Sequence, residues 1–139
     1  MNTTADQNKA IVRRFNKECI EQSNAASFKE LLAEDCINHT APAGSPNGAD
    51  SMVNFLSNIL KPAFPDLKVT ILDQIAEGDK VTTRKEIRGT HQGSFMGIPP
   101  THKNVVINVI DIIRLRNGQY TDHWASHNIP EVLAELNAK

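Results

Sequence analysis

Four stretches in the second half of the chain alternate apolar and polar residues with the period of two that is typical of β-strands. They cover residues 67–75, 81–91, 104–116 and 120–128. Turn signals separate them, and the strongest is Asn117-Gly118, which precedes the last stretch. A chain with this pattern is expected to form a meander of antiparallel strands. Such a sheet needs a second layer to cover its apolar face.

The first half of the chain supplies that layer as helices. Helix starts are predicted at Thr4 and Ser27, where a Ser or Thr is followed three residues later by Gln or Glu. A third helix is predicted to stop near Pro62 and Pro65, and Pro130 is predicted to start a last one. We therefore predict one α+β domain over residues 1–139. Its helices should pack on one face of a curved antiparallel or mixed sheet.

Composition excludes several classes of protein. The net charge of −1 and the scattered basic residues give no reason to expect nucleic acid or an anionic membrane as a partner. No apolar run approaches the ~20 residues of a membrane span, and the polar N-terminus lacks the apolar core of a signal peptide. Cys19 and Cys36 have no metal or redox spacing, so we expect free thiols in a cytoplasmic protein.

The last strand-like stretch carries the most chemistry. It holds the chain's one Trp, its one Tyr and two of its five His. An uninterrupted period of two divides it into two faces: Tyr120, Asp122, Trp124, Ser126 and Asn128 on one, and Thr121, His123, Ala125 and His127 on the other. The face with Trp124 is expected to line a pocket. No metal site is predicted, because four residues along a strand span ~13 Å, too far for His123 and His127 to share an ion.

Six short motifs occur in order along the chain. They are Asn38-His-Thr40, Phe64-Pro-Asp-Leu67, Arg88-Gly-Thr-His91, Gly97-Ile-Pro-Pro-Thr101, Ile110-Asp-Ile-Ile-Arg114, and the Asp-His-Trp that follows Gly118. Together they resemble the SnoaL-like polyketide cyclase family of the nuclear transport factor two-like superfamily. The resemblance implies a cone-shaped α+β barrel whose helices and concave sheet face enclose a deep pocket. It also implies a homodimer that forms through the outer face of the sheet.

The resemblance implies a chemistry that needs no metal or cofactor. In these cyclases an acidic side chain removes a carbon-bound proton, the enolate attacks a carbonyl, and the same acid returns the proton. The base needs apolar surroundings, and the enolate oxygen needs hydrogen-bond donors. By the resemblance, this acid is an Asp at the position of Asn128, and an amide cannot carry a proton.

Three functions therefore remain open. The first is a polyketide ester cyclase-like lyase or isomerase that acts on a hydrophobic carbonyl compound. The second is a non-catalytic protein of the same fold that binds a hydrophobic small molecule, with Asn128 in place of the acid. The third is a scaffold whose sheet serves only dimerisation. Function depends on the site and not on the fold.

Asp111 is the strongest candidate for a base, because it interrupts an otherwise apolar strand. The alternative is a structural carboxylate paired with a Lys or Arg of the next strand. Lys85 is a natural partner there, and its charge would weaken Asp111 as a base. Asn128 is either a hydrogen-bonding group in the pocket or the N-cap of the last helix, with Glu131 at the N3 position.

The other candidates are expected around the same pocket. His39 matches a family His near the pocket mouth, and its alternative is a structural role. Asp122 either supplies a carboxylate to the pocket or lies in solvent. The predicted substrate-binding set is Lys85, Trp124, Asp122, Ile107, Val109, Phe55 and Phe95.

Overall fold

A computed structural model describes residues 3–138. Its helices are α1 (Ala5–Arg14), α2 (Ala25–Leu31), α3 (Ala49–Asn54), α4 (Lys61–Ala63) and α5 (Ile129–Asn137). Two π-helical segments, Phe15–Glu21 and Phe55–Leu60, continue α1 and α3. None of the helices in the described part of the chain is long and apolar enough to cross a lipid bilayer.

One five-stranded sheet supports the helices. Its strands are β1 (Leu32–Asn38), β2 (Lys68–Glu77), β3 (Lys80–Thr90), β4 (Asn104–Arg116) and β5 (Gln119–His127). They lie in the order β1-β5-β4-β3-β2, and β1 pairs parallel with β5 while the other pairs are antiparallel. The predicted α+β class and mixed sheet are confirmed. The sheet is open and does not close into a barrel.

Local hydrogen bonds explain where the helices begin. Thr4 Oγ1 accepts from the backbone N of Gln7 at 3.1 Å, and the Gln7 side chain accepts from the Thr4 backbone at 2.8 Å. This capping box confirms the predicted start of α1. The predicted start at Ser27 is wrong, because Asn24 is the N-cap of α2 and accepts from the backbone N of Ser27 at 3.0 Å.

The helices cover one face of the sheet, which we call the inner face. On β4 the buried residues are Val105, Ile107, Asp111, Ile113 and Leu115, and those between them are more exposed. The ring of Phe15 stacks on that of Tyr120 with centroids 4.1 Å apart, which joins the helical layer to β5. On the opposite, outer face, Ile110 is 49% exposed and Ile75 is 69% exposed.

A β-bulge interrupts the alternation in β5. Tyr120 pairs with Leu115 and Asp122 pairs with Arg114, so Thr121 is an extra residue with no partner position on β4. Its hydroxyl donates to the Arg114 carbonyl oxygen at 3.2 Å, which stabilises the bulge.

The bulge reverses the predicted faces of the rest of β5. Trp124 pairs with Ile112 and shares the outer face with it, whereas His123 pairs with Ile113 on the inner face. The prediction that Trp124 lines the pocket and His123 points away from it is therefore wrong. Its physical reason is the one-residue insertion, which shifts every later side chain to the other face.

Candidate functional site

A buried ion pair lies between the helical layer and the sheet. Lys85 Nζ donates to Asp111 Oδ2 at 3.1 Å and to Asn16 Oδ1 at 2.7 Å. The side chains of Lys85 and Asp111 are each 5% exposed. Asn16 Nδ2 donates to the Val12 carbonyl oxygen at 2.8 Å, which fixes the orientation of the amide. The predicted pairing of Asp111 with Lys85 is confirmed.

Asn16 is a member of this cluster that was not predicted. It lies in the π-helical segment that follows α1, and it is buried. The signal was present in the sequence, because a polar residue next to Phe15 falls inside the apolar stripe of the helix. Its partner on the sheet could not be read from that stripe, since the contact spans 69 residues of chain.

Two polar atoms of the cluster have no partner within residues 3–138. They are Asp111 Oδ1 and the hydroxyl oxygen of Thr83, which lies opposite Asp111 on β3. A buried oxygen without a hydrogen bond costs free energy, so these atoms call for a donor from water or a ligand. A lysine ammonium has three donors, and two of those on Lys85 are used.

His123 completes the polar part of the inner face. Its Nδ1 lies 2.9 Å from Asn38 Oδ1, on the neighbouring parallel strand. Burial lowers the pKa of His123 from its ordinary value of 6.5 to about 4, and the Lys85 charge lowers it further while that of Asp111 raises it. The ring is therefore a neutral imidazole at neutral pH.

Asn128 joins the end of β5 to β4. Its Oδ1 accepts from the backbone N of Asn108 at 2.7 Å, and its Nδ2 donates to the Val106 carbonyl oxygen at 3.3 Å. It occupies the N-cap position of α5, but its side chain makes no capping hydrogen bond. Asn128 therefore lies at the predicted N-cap position of α5. The prediction that its side chain caps the helix is wrong, because the amide bonds to β4 instead.

His39, Asp122 and Trp124 form a separate cluster on the outer face. His39 Nε2 lies 2.8 Å from Asp122 Oδ2, and this hydrogen bond lowers the pKa of Asp122. The His39 ring stacks on the Trp124 ring with centroids 4.6 Å apart. Arg114 lies over the same indole at 5.7 Å. Since these residues lie across the sheet from Asp111, the prediction that they share its pocket is wrong.

The predicted apolar wall divides into two groups. Val109 is the inward residue next to Asp111 on β4, and Ile107 is the one before it. Phe95 is fully buried against Phe64, at a centroid distance of 5.1 Å, in the loop before β4, and Phe55 packs partly buried in the helical layer. Their roles in binding stay predictions.

Two open grooves lie along the sheet. One, of about 390 Å³, is lined by residues of both faces, among them Arg84, Ile110, Lys85 and His127, and the other, of about 400 Å³, is lined by Ile75 and Ile112 among others. The deep pocket that the resemblance implies on the inner face stays a prediction. Among residues 3–138, no three His, Cys, Asp or Glu side chains are grouped to hold a metal ion.

Removing one member of the buried pair should destabilise the fold more than removing both. We expect Lys85→Met to lower the free energy of unfolding by about 3 to 5 kcal/mol, because it leaves the Asp111 charge buried and unpaired. Lys85→Met with Asp111→Leu should lose clearly less, as measured by urea denaturation. Arg84→Met, which breaks the exposed pair with Asp73, is the control and should cost less than about 1 kcal/mol. Additive losses would contradict the pairing.

The partly buried His123 should make stability depend on pH. Because its folded pKa of about 4 lies below the ordinary value of 6.5, the unfolded state binds more protons between these values. The free energy of unfolding should therefore fall by up to about 3 kcal/mol as the pH drops from 6.5 to 4. His123→Gln should lack this loss, whereas His102→Gln, at an exposed position, should keep it. If the free energy of unfolding falls equally with pH in the wild type and in His123→Gln, this role of His123 is refuted.

Comparison with known proteins relates this geometry to a family. The family model of the SnoaL-like polyketide cyclases matches residues 10–136. No functionally curated protein matches the chain.

Three solved structures illustrate the similarity. A proposed SnoaL-like polyketide cyclase from Jannaschia sp. CCS1 has a TM-score of 0.86 at 20% identity, over 100% of this chain and 99% of its own. IdmH, a proposed polyketide cyclase from Streptomyces antibioticus, has a TM-score of 0.82 at 27% identity, over 95% of this chain and 99% of its own. AclR, a proposed hydroxylase from Streptomyces galilaeus, has a TM-score of 0.83 at 25% identity, over 96% and 82%. Because the family model spans nearly all of it, this chain belongs to the SnoaL-like polyketide cyclase family.

Proposed function

We propose that the protein is a cofactor-free enzyme that removes a proton from the carbon next to a carbonyl group of a hydrophobic compound. The reaction would be of the cyclase or isomerase type. One observation carries the proposal: Asp111 is buried on the inner face, with Oδ2 held by Lys85 and Oδ1 without a partner among the described residues. Membership of the SnoaL-like polyketide cyclase family supports this class of chemistry.

Asp111 and Lys85 would divide the reaction between them. Asp111 Oδ1 takes the proton from carbon, and the electron pair of the broken C–H bond moves into the carbonyl to give an enolate. The third N–H of Lys85 donates to the enolate oxygen, while Asn16 holds the ammonium in place. Asp111 then returns the proton to the product. The ammonium stabilises the negative charge that develops on the enolate oxygen.

A binding protein without catalysis is the second candidate, and Asn128 favours it. By the family resemblance, the acid belongs at this position, and here an amide bonds to the backbone of β4. The amide of Asn128 can hold the end of β5 in place, but it cannot take up and release a proton as a carboxyl group does. The inner face would then bind a hydrophobic carbonyl compound through Lys85 and leave it unchanged.

We also propose a cytoplasmic location, which two buried thiols support. Cys19 and Cys36 are free, and burial raises the pKa of their thiols to about 12 and about 11. Free thiols persist in reducing compartments. A fluorescent fusion that localises outside the cytoplasm would contradict this location.

Hydrogen exchange on a simple ketone tests the enzyme proposal. We expect the wild type to accelerate deuterium uptake at the α-carbons of 2-tetralone in D₂O, followed by proton NMR. Asp111→Asn should reduce this acceleration by about 100-fold or more, since it removes the base. Asp73→Asn, an exposed carboxylate of the outer face, is the matched control and should have no effect.

The same assay separates the two candidates. If the wild type binds 2-tetralone without accelerating exchange and Asn128→Asp gains exchange activity, the protein is a binder and the enzyme proposal fails. If Asp111→Asn keeps its affinity for the ketone and loses exchange, the binder proposal fails.

We further propose a homodimer that buries the outer face. Apolar side chains with exposures of 38 to 69% lie on this face, namely Ile37, Leu72, Ile75, Ile110 and Ile112. One row across it places two basic side chains, Lys80 and Arg114, between the acidic Glu77 and Asp122. A second copy related by a two-fold axis could place opposite charges against each other, so we propose that a second copy of this chain covers the outer face.

Sedimentation velocity tests the dimer at micromolar concentration. The wild type should sediment as a dimer, and Ile110→Glu should give a monomer, because it buries a charge in the apolar centre of the interface. Met96→Glu changes an apolar residue in the loop before β4 that is 58% exposed, against 49% for Ile110, and should remain dimeric. A monomeric wild type, or dissociation by both variants, would refute the proposed interface.

A further inference from the structure

A chain of two hydrogen bonds fixes the His123 ring on the inner face. The backbone N of Thr40 donates to Asn38 Oδ1 at 3.1 Å, and His123 Nδ1 lies 2.9 Å from the same oxygen. Because Asn38 Oδ1 can only accept, Nδ1 must carry the hydrogen. Nε2 of the neutral ring then has a lone pair and no hydrogen.

The surroundings keep the ring in this state. Burial lowers the pKa of His123 to about 4, and the nearby charges of Lys85 and Asp111 act in opposite directions on it. His39 and His127 lower it slightly further. At neutral pH, Nε2 of His123 is therefore a hydrogen-bond acceptor.

No group within residues 3–138 donates a hydrogen bond to Nε2. On β5, His123 lies opposite Ile113, and Asp111 is the next inward residue of β4. Diagonal neighbours of this kind are ~7–8 Å apart, a separation that one small molecule can bridge. Nε2 of His123 is thus a partly buried acceptor near Lys85 and Asp111, and no described residue donates a hydrogen bond to it.

We propose that His123 is a specificity-determining residue whose Nε2 accepts a hydrogen bond from a hydroxyl group of the ligand. The ligands preferred by this site are then hydrophobic carbonyl compounds that also carry a hydroxyl, such as phenolic or enolic ketones. An ether at the same position has no hydrogen to donate. It would leave Nε2 desolvated and unpaired, which lowers the affinity of the site for the ether. The inference rests on the proposed location of the site on the inner face.

Matched probes test the preference by binding alone. The four ring-hydroxylated 2-tetralones and their methyl ethers differ in one hydrogen-bond donor and cover its possible positions. By isothermal titration at pH 7.5, we expect at least one hydroxyl compound to bind the wild type about fivefold or more tightly than its ether. His123→Phe should bring that ratio near one while it keeps its affinity for 2-tetralone. His127→Phe is the control. It changes the residue two inward positions after His123 on β5 and should keep the preference for the hydroxyl compound.

A second variant acts on the ring without removing it. Asn38→Asp keeps the acceptor for Thr40 and Nδ1, but its carboxylate stabilises the imidazolium and should raise the pKa of His123. Below that pKa, Nε2 carries a hydrogen and becomes a donor, so the preference for hydroxyl over ether should disappear at pH 6. Nitrogen-15 NMR of the ring should show hydrogen on Nδ1 alone in the wild type at pH 7.5.

The outcomes separate this inference from the proposed function. Equal affinity for every hydroxyl and ether pair, no binding of any probe, or hydrogen on Nε2 in the wild type would each overturn the role of His123. So would a preference that persists in His123→Phe or, at pH 6, in Asn38→Asp. Ketone exchange is measured on 2-tetralone itself, so exchange that persists after any of these results would keep the role of Asp111. Loss of that exchange with an intact hydroxyl preference would leave a selective binding protein.

Discussion

The burial of one positive and one negative charge between the helices and the sheet is the constraint on which the rest of the structure depends. Lys85 and Asp111 are tolerable there only because they are within hydrogen-bonding distance of each other. The pair still needs Asn16 from the helical layer to satisfy a further donor. The same pair therefore aligns β3, β4 and the segment after α1. In the proposed reaction, these atoms would also be the reactive groups.

The bulge at Thr121 decides which residues join that pair. With an unbroken period, Trp124 would lie over the inner face and His123 outside it. The inserted residue reverses this, so the inner face receives an imidazole and the outer face receives the indole. A bulge costs one ladder position, and the Thr121 hydroxyl compensates by donating to the strand opposite. A local irregularity of one residue thus sets the character of both faces.

The two faces consequently have different chemistry. The inner face combines an ion pair, a neutral His123 and two oxygens that have no partner in residues 3–138, under a cover of helices. The outer face has exposed isoleucines beside the stacked rings of His39 and Trp124. Asn128 marks where the two regions meet, since both atoms of its amide bond to β4 instead of facing a ligand.

Periodicity and spacing in the sequence determined the α+β class, the four antiparallel strands, the capping box at Thr4 and the pairing of Asp111 with Lys85, because each of these depends on neighbours in the chain or on adjacent strands. Only the tertiary structure decided the contribution of Asn16, the bond from His123 to Asn38 and the faces of β5. These depend on contacts between residues 69 or more positions apart and on a bulge, whose extra residue breaks the period on which the sequence argument relied.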